Sequence, residues 1–143
     1  MVEDKAVLVE ENHDASKMMS FGKDVFFLSG TGTISLKREG EDSRIVTRLG
    51  EGSKVYSTMR LQNDWIVFTE DGSYVFNLKT HQVSLDTELN IKKGQVQIDN
   101  RGNFWIYNHT GKVWYVNAKT RFVKSFQPVS YTHLRAHETV LDL

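Results

Sequence analysis

The chain has 143 residues with 18 basic and 18 acidic side chains, and its formal net charge of zero gives no electrostatic footing for a nucleic-acid partner or an anionic membrane surface. Hydrophobic residues make up 39% and charged residues 25%, ordinary globular usage that sets disorder aside for most of the chain, and no apolar run is long enough to span a bilayer. The absence of cysteine excludes a disulfide framework, an iron–sulfur cluster, a Cys-ligated zinc and a thiol nucleophile.

Residues 1–13 hold one short apolar run, Ala6-Val7-Leu8-Val9, flanked by acids. A signal peptide needs a basic lead and a longer core, so the run reads instead as an edge strand. Strand-like segments follow at 17–20, 25–28, 33–36 and 44–49, then at 55–61, 65–68 and 74–76, with Val83, Leu85 and Leu89 alternating behind them. The last group is the most regular. Gln95-Val96-Gln97-Ile98 alternates polar and apolar, as a strand with one buried face does, and Asn100-Arg101-Gly102-Asn103 turns the chain. Phe104-Trp105-Ile106-Tyr107 is a continuous apolar run, the pattern of a strand covered on both faces. A second turn at 108–111 leads into Val113-Trp114-Tyr115-Val116, and Asn117-Ala118-Lys119-Thr120 closes into a fourth strand at 122–126.

These groups repeat. With a shift of 40, Trp65 falls on Trp105, Ile66 on Ile106, and Asn77, Lys79 and Thr80 on Asn117, Lys119 and Thr120; one register earlier Asp24 meets Asp64 and Gly32 meets Gly72. Gly72 and Gly111 are 39 apart, so one hairpin is a residue shorter. A unit of about 40 residues with four short antiparallel strands is a propeller blade. The expected fold is therefore all-β, a partial β-propeller of three blades at 14–53, 54–93 and 94–127. Residues 1–13 supply the outer strand of a preceding blade. A closed propeller has about four to eight blades, so a chain of three and an edge predicts a segment of a larger ring. As a monomer it would leave apolar faces and strand edges open.

Beyond Pro128 the pattern changes. His133 and His137 stand at i, i+4 of a helix-prone stretch, but Glu138 follows the second histidine instead of the first, so the zincin arrangement is missing. The stretch Val129-Ser130-Tyr131-Thr132-His133-Leu134-Arg135-Ala136-His137-Glu138-Thr139 resembles a tail that recurs on unrelated bacterial proteins and looks like translated adaptor sequence. Residues 128–143 are accordingly read as non-native, disordered or helical.

No catalytic or metal-binding residue emerges, the binding residues stay unassigned, and no cofactor is expected. Glu10-Glu11, Glu39 with Glu41-Asp42, and Glu70-Asp71 pair carboxylates only as neighbours in turns or at a terminus, where solvated charge explains them. Trp65, Trp105 and Trp114 have flat faces suited to sugar rings, yet the fixed phase of Trp65 and Trp105 inside apolar strands reads as inter-blade core. His109 sits in a turn and is the foremost candidate among the histidines to touch a ligand, although a lone loop histidine is more often idle. Asn108-His109-Thr110 matches a glycosylation sequon, a pattern common by chance. Gly30-Thr31-Gly32 lacks the lysine and helix of a phosphate cradle.

The string Asp99-Asn100-Arg101-Gly102-Asn103-Phe104-Trp105-Ile106, then Gly111 and Asn117-Ala118-Lys119-Thr120, resembles the two-component-regulator propeller repeat. Arg121 stands where that family often has glycine, the middle copy matches in part, and the first has no tryptophan. The resemblance implies the periplasmic sensor region of a hybrid two-component system, with an oligosaccharide or other small ligand and adjoining propeller blades as partners, and a kinase outside this chain. It implies no enzyme activity here, no nucleic acid and no membrane segment. The alternative is a propeller that acts as a protein–protein interaction scaffold.

Overall fold

The computed structural model describes residues 15–127; the expected strand in 1–13, Glu10-Glu11 and the tail with His133 and His137 lie outside the described residues. Among the described residues all regular structure is β. The first sheet comprises β1 (Ala15–Phe21), β2 (Asp24–Ser29), β3 (Thr33–Arg38) and β4 (Arg44–Arg48). The second comprises β5 (Val55–Leu61), β6 (Asp64–Thr69), β7 (Ser73–Asn77) and β8 (Val83–Leu85), and the third β9 (Gln95–Ile98), β10 (Phe104–Tyr107), β11 (Val113–Val116) and β12 (Val123–Phe126). Each is an antiparallel meander in which every strand pairs with its sequence neighbour. This is the partial β-propeller architecture expected from the repeat. β1 and β5, and likewise β2 and β6, start and end 40 residues apart.

One expected strand is shorter. β8 stops at Leu85 because Asp86 turns the chain: its Oδ1 accepts the N–H groups of Glu88 and Leu89, and its carbonyl accepts that of Asn90. Leu89 is buried, but from this turn and not from the strand.

The chain divides into two compact units between Lys93 and Gly94. In the first unit, the two sheets share a core. Phe26 and Leu28 from β2, with Ile34 and Leu36 from β3, form one side; Trp65 and Val67 from β6, with Phe76 and Leu78, form the other. All eight are essentially fully buried. At roughly 1.5–3 kcal/mol for each large apolar side chain removed from water, this layer is the main stabilising term of the unit. Phe26 meets Phe76 edge to face at 5.2 Å between ring centroids, the geometry that the ring quadrupoles favour.

Arg60 fastens the layer at its rim. Its Nη1 donates to the Ser20 carbonyl at 3.0 Å, and its guanidinium lies 5.8 Å from the centre of the Phe21 ring. The segment between the sheets is tied down by its backbone: Leu49 donates to Gly32 O and Val55 to Gly30 O, both at 2.8 Å. So Gly30 and Gly32 anchor a connection between sheets, and their carbonyls are engaged there.

In the second unit the third sheet buries Phe104, Ile106 and Val116, all on one face. The opposite face carries Trp105, Tyr107, Val113, Tyr115 and Phe126, of which Tyr107 is 42% and Phe126 37% exposed. Along β10, Phe104 and Ile106 are thus buried while Trp105 is half-buried and Tyr107 exposed.

Candidate functional site

Two turns in the repeat are built alike. Asn77 Oδ1 accepts the N–H groups of Lys79 and Thr80, both at 2.9 Å, and Asn117 Oδ1 accepts those of Lys119 and Thr120 at 2.9 and 3.0 Å. The backbone closes each turn identically: His81 donates to Asn77 O and Arg121 to Asn117 O. His81 and Arg121 consequently hold φ of 65° and 64°, the left-handed conformation that glycine adopts most readily. The His81 ring packs against Phe26 and Phe76, with centroids 5.3 and 6.1 Å away.

Aligned on those turns, the third sheet is one residue out of the expected phase. Phe76, just before Asn77, pairs with Trp65; Val116, just before Asn117, pairs with Phe104. The position of Trp65 is thus occupied by Phe104, and Trp105 falls on the other face. Because side chains alternate along a strand, a shift of one residue reverses which face each occupies. The expectation that Trp65 and Trp105 share one core position is corrected accordingly: Trp65 is fully buried between two sheets, and Trp105 is half-buried on the open face. The 39-residue spacing of Gly72 and Gly111 was the signal of this shift in the sequence.

Trp105 is held firmly on that face. Its Nε1–H donates to Asp99 Oδ2 at 3.0 Å, and its ring lies 5.0 Å from Tyr115 and 6.0 Å from Phe126, nearly parallel to the latter. Asp99 is the organising residue of the β9–β10 turn, since its Oδ1 also accepts the backbone N–H groups of Arg101 and Asn103. These three donors, the indole first, hold the Asp99 carboxyl below its ordinary range. Asn103 Oδ1 extends the network to the N–H of Ala118 at 3.0 Å. The five-residue turn supplies the acid that the two-residue β5–β6 turn lacks. Among the described residues, Trp65 Nε1 is a buried donor with no acceptor.

Across the third sheet, strand pairing aligns two rows on the open face: Gln97, Trp105, Tyr115 and Lys124, then Gln95, Tyr107, Val113 and Phe126. Aromatic rings fill the middle, and glutamines and a lysine flank them. Lys124 Nζ lies 5.4 Å over the Phe126 ring, and Trp114, on the other face, has Lys112 Nζ 5.1 Å above it. This aromatic face is the candidate site. Trp114 and Tyr115 point to opposite faces, as their adjacency requires.

The other nominated residues do not converge. His109 is exposed in the β10–β11 turn, where Thr110 Oγ1 and its N–H both bond Asn108 Oδ1. Glu39, Glu41 and Asp42 are exposed in one turn, and Glu70 and Asp71 in another. Asp71 accepts a hydrogen bond from Ser53 Oγ, which clips that turn to the connection between sheets. Among the described residues, no three of His, Asp and Glu gather as a metal site would require, and no helix is long and apolar enough to cross a membrane.

No protein-family model matches the chain, and no curated protein matches it. Solved structures do. The N-terminal domain of Nup159, a propeller, aligns with a TM-score of 0.61 and 10% identity, covering 85% of this chain and 33% of its own. The extracellular domain of BT4673 from B. thetaiotaomicron, described as a hybrid two-component system, aligns at 0.59 and 13% identity, over 79% of this chain and 15% of its own. PorZ, a surface component of the type-IX secretion system of Porphyromonas gingivalis, aligns at 0.57 and 16% identity, over 80% of this chain and 16% of its own. The chain thus spans a third or less of each. At these identities the likeness is one of fold: each sheet is a four-stranded antiparallel meander, as in a propeller blade.

Proposed function

We propose that this chain is a non-catalytic, ligand-sensing part of a β-propeller acting in the periplasm. It recognises an oligosaccharide or other small ligand and reports its occupancy to a kinase carried elsewhere in a membrane-bound two-component regulator. The observation that carries this reading is the repeat from Asp99 to Thr120, resembling that of such regulators, on a fold that the extracellular domain of BT4673 shares. Separate, exposed carboxylate turns support a binding role over acid–base chemistry, which needs two convergent groups. Adjoining sheets of propeller type are the second class of partner, a reading that the exposed apolar side chains Met18 and Ile45 of the first sheet and Tyr107 and Phe126 of the third support.

Calorimetric titration of the full chain with maltohexaose, xylohexaose and heparin and chondroitin hexasaccharides tests the sensing role. Saturable heat with at least one, and a matching rise in melting temperature, is the expected result. Silence from all four, together with stoichiometric capture of a folded protein, would establish the scaffold reading in its place.

A further inference from the structure

The β2–β3, β6–β7 and β10–β11 turns are built on one plan. Each opens on a side-chain oxygen that accepts the backbone N–H two residues on. Ser29 Oγ accepts that of Thr31 at 3.3 Å, Thr69 Oγ1 that of Asp71 at 3.2 Å, and Asn108 Oδ1 that of Thr110 at 3.1 Å. A glycine follows three positions after the oxygen in every case: Gly32, Gly72 and Gly111. The turn requires only an oxygen at its first position, and a hydroxyl supplies it in the first two sheets. Asn108 brings a carboxamide nitrogen as well. Among the described residues nothing accepts a hydrogen bond from that Nδ2, so the fold has no use for it.

Asn108 is also the one asparagine of the chain with a hydroxyl residue two positions after it, in Asn108-His109-Thr110. His109 and Thr110 are exposed. Their exposure does not depend on where the sequence ends, because Thr31, Glu70 and Asp71, at the matching positions of the other two turns, are exposed too. We propose that Asn108 is an acceptor of N-linked glycosyl transfer, the donor being a glycosyl diphosphate. Nδ2 bonds to the anomeric carbon of the donor, the bond from that carbon to the diphosphate oxygen breaks, and the diphosphate leaves with the electron pair. The proton on Nδ2 passes to a base of the transferase. An amide lone pair is delocalised into its carbonyl, so Nδ2 becomes nucleophilic only as negative charge gathers on Oδ1. Two donors already engage that oxygen, the Thr110 hydroxyl at 2.6 Å and the Thr110 N–H at 3.1 Å. They stabilise the developing charge as the donors of an oxyanion hole do. The sheet is undisturbed by attachment, since Tyr107 and Val113 pair behind the turn.

The test takes the folded full chain, UDP-glucose and a soluble asparagine-directed glucosyltransferase, and reads the product by intact mass and peptide mapping. One hexose on Asn108 is the expected result. Asn108→Ser keeps the kind of oxygen that Ser29 supplies, and is expected to melt as wild type does and to take no hexose. Circular dichroism checks each fold, and Asn108→Asp replaces an Asn108→Ser chain that does not fold. Thr110→Ser keeps the hydroxyl and the transfer. Thr110→Val keeps the N–H but not the hydroxyl, and is expected to be slower by about a hundredfold, the usual cost of one oxyanion donor. No transfer to the folded wild type, whether or not the urea-unfolded chain is modified, overturns the proposal. So does hexose on other residues in place of Asn108, or a Thr110→Val chain modified at the wild-type rate. The sensing role stands in each of those cases, since the heats of oligosaccharide binding decide it.

Discussion

Asn77 and Asn117 hold equivalent turns, and the residues that pair across the sheet just before them, Trp65 and Phe104, mark the same position on the second and third sheets. Each asparagine side chain replaces backbone partners for two N–H groups in a tight turn, and each is backed by an i to i+4 closure. Replacing either by alanine removes the two hydrogen bonds to its Oδ1, at about 0.5–1.5 kcal/mol net each, and a longer one from its Nδ2, to Asp64 Oδ1 for Asn77 and to Tyr115 Oη for Asn117. Asn77→Ala and Asn117→Ala are expected to destabilise by about 1–2 kcal/mol, read as a shift of the urea midpoint at unchanged slope. Asn117→Asp should retain most of that stability, since its oxygen accepts the same bonds, whereas Asn77→Asp would lose the Nδ2–H donated to Asp64 and set two carboxylates together.

Gln62 offers the reverse case. It holds φ of 58° in the β5–β6 turn, where the residue 40 positions earlier, Gly22, holds 61°. A left-handed non-glycine residue costs about 1 kcal/mol, and the Gln62 side chain is exposed. Gln62→Gly is expected to raise stability by about 0.5–1 kcal/mol, with the Arg60 bond to the Gln62 carbonyl intact because it uses only backbone. An unchanged or lowered melting temperature would show that the turn is not strained.

Much of this architecture could be read directly from residue types. Strands β5, β9, β10 and β11 match their expected bounds because alternation and apolar runs are bracketed by glycine and asparagine turns. The facing of Trp105 could not be read so easily. Both phases place an aromatic residue in β10, and hydrophobicity cannot choose between Phe104 and Trp105 at the core position. Pairing decides it, because Phe104 meets Val116 immediately before the Asn117 turn. Asp99 stood in the sequence only as the first residue of the resembled repeat, ahead of the expected turn at 100–103, and its grip on Trp105 Nε1 depends on the five-residue length of the turn. The open aromatic face followed from that same one-residue shift.

The two tryptophans should respond differently to loss of the indole N–H. Trp65 Nε1 is buried without an acceptor, a state that costs about 1–3 kcal/mol. In Trp65→Phe that penalty disappears and offsets the lost volume, so stability should stay within about 1 kcal/mol of wild type, whereas Trp65→Ala should lose about 3–5 kcal/mol. Trp105→Phe removes no penalty and breaks the bond to Asp99, so it should be the more damaging of the two phenylalanine variants. Paired denaturant titrations decide the order.

Acid stability should depend on Asp99 and Asp24. Asp99 is held below its ordinary value of 3.8 by the Trp105 indole and the Asn103 and Arg101 backbone donors. Asp24 is lowered chiefly by Arg38, whose Nε donates to Oδ1 at 2.7 Å. A carboxylate whose folded value lies below its unfolded value contributes stability that is fully present above about pH 4 and is lost as pH falls through the folded value. Asp99→Asn should therefore flatten the loss of stability below pH 4 and leave the curve between pH 6 and 8 parallel to wild type. Trp105→Phe should flatten the same limb in part. An unaltered acid limb in Asp99→Asn would mean that the carboxylate is not stabilised by folding.

The connection between the first two sheets offers a test of close packing. Gly50 holds φ of 61°, and a Cβ there would stand 2.7 Å from Tyr74 Oη and 3.1 Å from Ser53 Oγ. Gly52, two residues on, holds φ of 85°, but a Cβ there would meet no heavy atom within 4 Å. Both alanine variants therefore bear the left-handed penalty of about 1 kcal/mol, and only Gly50→Ala also displaces the Tyr74 phenol. Tyr74 belongs to the shell around the Phe26–Trp65 layer, so its displacement reaches the core through one ring. Gly50→Ala is expected to cost about 1–2 kcal/mol more than Gly52→Ala, and Tyr74→Phe, which removes the hydroxyl that the Cβ would strike, should recover most of that difference in the double variant. Equal costs for the two alanine variants, or no recovery on adding Tyr74→Phe, would place the strain in the backbone alone.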